Sequence, residues 1–177
     1  KPRKLDPPAV WFPYKWIRSA SDIMEITDDR FGPFKGQMLV GDFQNAVLMR
    51  VQLEKVNGEW QGAVWPFLKG FQSGVNRMVL GNDGRLYVGS GKVKAWAANA
   101  PAFHALERVK FKGRVPFSVK NVRALPDGFE LTFTQPVNRD SAEAQDGFDV
   151  WQCRYEYHKS YGSPEFDHEG RKDRFTV

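Results

Sequence analysis

Two glycine-framed apolar runs of the same form, Gly36-Gln37-Met38-Leu39-Val40-Gly41 and Gly84-Arg85-Leu86-Tyr87-Val88-Gly89, recur at an offset of 48 residues. Each is followed by a matching run, Leu48–Leu53 and then Leu106–Phe111. The later copy is preceded by Val75–Leu80 and joined to it through Asn82-Asp83-Gly84. Asn, Asp and Gly tolerate the positive φ of tight hairpin turns, whereas a parallel crossover needs a dozen or more residues. The unit is therefore a set of short antiparallel strands. A repeat of this length built from strands points to neighbouring blades of a β-propeller.

The rest of the chain is read around that pair. Lys1–Tyr14 holds four prolines and is expected as an extended lead-in. Asp22–Thr27, Gln37–Phe43, Ala46–Val56 and Glu59–Leu68 are expected to form the first blade, with Asn57-Gly58 as a hairpin turn. Alternation in Ala46–Val56 puts Val47, Met49, Val51 and Leu53 on one face and Leu48, Arg50, Gln52 and Glu54 on the other. Val75–Leu80 and Arg85–Gly89 open the second blade. The following segment, Ser90–Ala105, is longer than its counterpart between Gly41 and Leu48, and insertions in repeat folds gather on the binding face.

After Lys112-Gly113-Arg114 the pattern changes. Pro126-Asp127-Gly128 is a turn, Phe129–Thr134 alternates strictly, and Asp140–Gln145 reads as a short helical turn capped by Asp140 or Ser141. Val150–His158 alternates again, with Trp151, Cys153, Tyr155 and Tyr157 on one face, so Cys153 is expected in a core. The expectation is an all-β chain. Residues 1–113 carry the lead-in and about two four-stranded antiparallel blades of a partial β-propeller, and residues 114–177 an incomplete immunoglobulin-like β-sandwich segment. Two blades cannot close a ring, so the missing blades, or another chain, are expected to complete it.

Several function classes drop out. The net charge of +5 is spread along the chain, not massed into the basic patch that a nucleic-acid surface needs. The apolar runs fall short of the ~20 residues of a membrane helix. A single cysteine, Cys153, leaves no internal disulfide, no CxxC zinc pair and no CxxCH haem site. Gly89-Ser90-Gly91-Lys92 lacks the earlier glycine of a phosphate loop, because Leu86 stands there. Glu165, Asp167, His168 and Glu169 read as a solvated acidic loop sooner than a cation site.

What remains are the connections expected at the mouth of the central channel. They carry Asp42, Gln44 and Asn45; Ser73, Asn76 and Arg77; and Ser90, Lys92, Lys94 and Trp96. Cationic and amide groups converging there suit an anionic or polyhydroxylated ligand, or else only solvate the rim.

The run Gly74–Gly89, GVNRMVLGNDGRLYVG, resembles a late-blade motif of the soluble quinoprotein sugar dehydrogenases of the glucose/sorbosone dehydrogenase group, which reads Gly-Arg-Ile-Arg-Asp-Val, then Gly-Pro-Asp-Gly and Leu-Tyr. Phe31–Asp42, followed by Leu48-Met49-Arg50-Val51, is similar to the preceding blade, and Phe129–Val137 with Asp140-Ser141-Ala142 to bacterial immunoglobulin-like domains that trail such propellers. The resemblance implies a six-bladed propeller in a large secreted or periplasmic protein. It also implies pyrroloquinoline quinone (PQQ) and calcium over the axis, oxidation of sugars or aldehydes, and in some members a cytochrome c acceptor. It gives Arg77 as a quinone contact, with Asp42, Gln44 and Asn45 near the pocket. Val75 stands where the motif has its first arginine, and Gln44 falls where members carry a lysine. The catalytic histidine and most calcium ligands would lie in earlier blades, outside this sequence. Two readings stay open: a sector of a PQQ-type dehydrogenase, or a non-catalytic scaffold or carbohydrate- or protein-binding module without the quinone site. If position 75 belongs to a decayed quinone pocket, arginine there would raise PQQ affinity.

Overall fold

A computed structural model describes residues 7–92, 99–144, 147–150, 152–155, 164–167 and 169. The described residues form several small antiparallel sheets and very little helix. Contacts divide the chain into two compact units, Lys1–Gln135 and Pro136–Val177.

In the first unit, β1 (Ala20–Glu25), β2 (Met38–Asp42), β3 (Val47–Val56) and β4 (Glu59–Lys69) form one antiparallel sheet in chain order. Asn57 and Gly58 both have positive φ, 51° and 90°, the pair that a two-residue type I′ turn demands. Val56 and Glu59 therefore pair directly. A second antiparallel sheet contains β5 (Gly74–Leu80), β6 (Leu86–Gly91) and β7 (His104–Val109), three strands among the described residues. β6 runs to Gly91 and β7 begins at His104, so Ser90, expected in the loop, is a strand residue paired with Ala105.

The two sheets pack face to face, with β5 against β1, β2 and β3. Leu39, Leu48, Val75, Leu86 and Val88 are fully buried between them. The sheets approach closely at Gly41, since a Cβ there would lie 2.5 Å from Val75 Cγ1. Polar groups of β1 complete the seam. The Ser21 hydroxyl donates to Val75 O (2.6 Å), and Asp22 Oδ2 accepts from Met78 N (2.7 Å), where β5 carries a bulge between Val75 and Arg77. The other face of the first sheet, with Val40, Met49 and Val51, is covered by Val10 and Phe12 of the proline-rich lead-in and by Ile17 just after it.

A 3-10 turn at Asp29–Phe31 joins β1 to β2. Asp28 caps it by accepting from Arg30 N (2.8 Å) and also receives the Arg30 guanidinium, which reaches on to Asn82 O (2.9 Å) in the β5–β6 turn. The hydrogen bond from the Arg30 side chain is the main reason the Asp28 carboxyl is held down to about 2. A depressed carboxylate stabilises the fold above the ordinary range near 4 and loses that contribution as pH falls through its folded value. Asp28→Asn is accordingly expected to flatten the fall in stability between about pH 4 and 2. Urea midpoints for both proteins across that window check it, and identical pH profiles would remove the role given to Asp28.

The hairpin of β8 (Val119–Leu125) and β9 (Gly128–Phe133) packs on β3 and β4 and belongs to the first unit. Its mode of attachment follows from spacing. Side chains at i, i+2 and i+4 of a strand share one face at about 6.6 Å steps, the same steps as the free backbone groups along a strand edge. On β3 those side chains are Arg50, Gln52 and Glu54. Arg50 Nη1 donates to Lys120 O (3.2 Å), Gln52 Oε1 accepts from Val122 N (3.0 Å), and Glu54 Oε1 accepts from Ala124 N (3.0 Å). The open edge of β8 is thus satisfied by side chains in place of another strand.

In the second unit, α1 (Arg139–Glu143) is capped by Asn138, whose Oδ1 accepts from Ser141 N (3.1 Å); the cap is neither Asp140 nor Ser141. Asn138 wins because its extended backbone lets the side chain reach the first free amides. β10 (Arg154–Tyr155) pairs antiparallel with β11 (Glu165–Phe166). Of the expected Val150–His158 strand, only Arg154–Tyr155 is strand among the described residues, and residues 151 and 156–158 lie outside them. Cys153 is half-buried, and burial together with the Glu165 charge pushes its thiol up.

Candidate functional site

Asp42, Gln44 and Asn45 lie at the end of β2 and in the β2–β3 connection, and Arg77 lies in β5 of the second sheet. Asp42 is the last residue of β2 and not a loop residue, and it is fully buried. Its Oδ1 accepts from Arg18 N (3.0 Å) and Ser19 N (2.5 Å), and its Oδ2 from Asn45 N (2.6 Å). Three backbone amides seal the carboxylate into the β2–β3 connection, where it anchors the segment just before β1. Asn45 Nδ2 donates to Trp16 O (3.1 Å), and Asn45 Oδ1 accepts from Asn99 Nδ2 (3.3 Å). Gln44 O accepts from Asn99 N (2.7 Å), which ties the long β6–β7 connection to the β2–β3 connection. Lys94 and Trp96 lie outside the described residues.

Arg77 is not in a loop either. It lies in β5, exposed on the face of the second sheet turned away from the first, and its Nη1 donates to Asn76 O (2.8 Å) and Ser21 O (3.3 Å). Val75, at the motif's first arginine position, is fully buried against Gly41, and Ser73, expected at the rim, is also fully buried. The carboxylate is closed off by amides, an amide side chain is spent on backbone, and one cation stands on an open sheet face.

A different cluster was missed in the sequence. Arg50 is only 1% exposed, with its guanidinium between the ring faces of Phe34 (4.0 Å) and Trp65 (4.2 Å). It donates to Gln37 Oε1, Lys120 O and Val119 O, all neutral oxygens. Burial brings it down to about 10, so it is still a cation at neutral pH. Arg50 forms part of the wall of a cavity of about 350 Å³ between β4, the 3-10 turn and the 110–118 segment. Phe34 and Phe67, edge to face at 5.8 Å, make an aromatic wall, and Phe111 and Phe117 add to it. Lys110, Lys112 and Arg114 stand exposed around it. The sequence signal pointed elsewhere, because a polar face alternating with an apolar one on a strand reads as solvated.

Among the described residues no three His, Cys, Asp or Glu side chains are placed to hold a metal ion, and His168 of the acidic stretch lies outside them. No described helix is long and apolar enough to cross a membrane. Comparison with protein-family models, curated proteins and solved structures finds no match of the chain to any of them.

Proposed function

We propose that this chain is a non-catalytic sector of a propeller of the quinoprotein sugar dehydrogenase type, a scaffold whose open sheet face receives a further blade. The observation that carries the reading is the fate of equivalent residues in the two copies of the repeat. Gly41 pairs with Leu48, and this pair is buried under the second sheet. Gly89 pairs with Leu106 in the same way, on the face that points away from the first sheet. There Leu106 is 78% and Val79 60% exposed, and a Cβ on Gly89 would meet nothing closer than Arg77 O at 3.8 Å. The second sheet presents the surface that the first sheet has already covered, which suits a rotational stack with its next member outside this chain.

The commitment of Asp42 and Asn45 to backbone, and the burial of Val75, favour a scaffold over a quinone enzyme. The exposed guanidinium of Arg77 is what favours the second reading, an extracytoplasmic PQQ-type sugar or aldehyde dehydrogenase passing electrons to a cytochrome c. Supplying PQQ and calcium to the full-length protein and following dye reduction over a panel of sugars separates the two. The expected result is no quinone absorbance and no turnover; sugar-dependent reduction would overturn the scaffold reading. The stacking itself has its own check. Gly89→Val is expected to leave this chain's denaturation midpoint within about 0.5 kcal/mol yet disturb the full-length protein. A full-length protein indifferent to Gly89→Val would end the stacking proposal.

A further inference from the structure

The cavity beside Arg50 has no part in the stacking of the sheets, and we propose that it binds a small aromatic anion, its ring against the phenylalanines and its carboxylate or comparable acidic group toward Arg50 and the Lys110–Arg114 rim. Three observations carry this. First, the cavity volume of about 350 Å³ lies at the small end of ligand pockets, and five phenylalanines contribute to its largely apolar walls. Second, every charged residue among its described lining is a cation, namely Arg50, Lys110, Lys112 and Arg114. Third, the buried guanidinium of Arg50 has neutral oxygens as its hydrogen-bond partners, so its charge is solvated but not neutralised.

Ring faces and carbonyl dipoles lower the cost of that buried charge without cancelling it. An anion entering from the rim would be attracted in a medium of lower effective dielectric than water. Because the Nη groups of Arg50 are already engaged, Arg50 acts through its charge, and direct hydrogen bonds to the acid fall to the exposed rim cations. A planar ring suits the site better than a flexible alkyl chain, since aromatic walls favour stacked or edge contacts and a rigid ligand loses less freedom on binding.

Calorimetric titration of the whole chain with 2-naphthoate, and with neutral 2-naphthol as the isostere, tests the proposal. One equivalent of 2-naphthoate is expected to bind about tenfold or more tightly than 2-naphthol, one decade in Kd. Lys112→Gln combined with Arg114→Gln, both surface positions, should weaken the naphthoate about tenfold and leave naphthol unchanged. Phe117→Ala, at a half-open wall position stacked on Phe133, should weaken both. Equal affinities would mean association with a cation-free apolar groove such as the one beside Ile23 and Leu53, and would overturn the proposal. So would no binding of naphthoate up to millimolar concentration, or a double variant that binds as well as the parent.

Discussion

Arg50→Met is expected to lower the stability of the first unit by about 3 kcal/mol and to release the β8–β9 hairpin first. The guanidinium serves Gln37 Oε1 and the carbonyls of Val119 and Lys120 at the margin of β8. Methionine fills much of the volume but offers no donor, so Gln37 Oε1 and Val119 O lose their bonds from Arg50 at about 1–3 kcal/mol each, while Lys120 O keeps Gln37 Nε2 at 2.7 Å. Opposing this, removing a buried charge relieves its desolvation, and hydrophobic replacements of whole buried ion networks are sometimes stabilising. The first effect is the larger here. Two of Arg50's partners, Val119 O and Lys120 O, are backbone oxygens that the substitution leaves in place, Gln37 Oε1 is a buried side-chain oxygen, and the ring contacts with Phe34 and Trp65 go too. Arg50→Lys should fall between, since an ammonium reaches fewer acceptors and lacks the planar face. Denaturant midpoints, with limited proteolysis between β7 and β9, read both effects. A Met variant as stable as the parent would show that the Arg50 rung does not hold β8, leaving Gln52 and Glu54 to do so.

Val75→Arg is expected to be more damaging still, costing about 4 kcal/mol or more, a large share of a typical domain's stability. Val75 is fully buried where β5 crosses β2, and its Cγ1 lies only 2.5 Å from where a Cβ on Gly41 would be. Arginine would put an unpaired charge and a far longer side chain into that seam. The resemblance to the dehydrogenase motif implied the opposite, that arginine at this position restores quinone affinity. A folded Val75→Arg protein that binds PQQ more tightly would reinstate that view and overturn the packing argument. The seam has a milder probe in Gly41→Ala, expected to cost about 1–3 kcal/mol by overpacking and to be partly rescued by Val75→Ala in the double variant. Strictly additive effects would mean the two positions do not press on each other.

The strands were legible because their signals are local. Asn57-Gly58 has the positive φ values that only such a pair takes easily, and the alternating runs on either side became β3 and β4 almost residue for residue. The glycine-framed repeat became β2 and β6, and its all-β setting followed. The site residues were not legible in the same way. Asp42 has the composition of a ligand group, yet three amides close around it, two from Arg18 and Ser19 just before β1 and one from Asn45 in the β2–β3 connection. Arg77 matches a motif position, but the bulge after Val75 places it on an outward sheet face.

Arg50, Gln52 and Glu54 show the same division most clearly. Their spacing along the chain put them on one side of a strand, and that much followed from the period of two. Whether that side meets water or protein depends on β8, some seventy residues further on, whose free edge happens to match the same step. The amino-acid order alone determined strand, turn and face, because those depend on backbone preferences and neighbours a few residues apart. Which faces are covered, which polar groups are already satisfied and where an uncompensated charge meets a cavity were decided only by tertiary packing, because burial and hydrogen-bond partners come from residues far away in the chain.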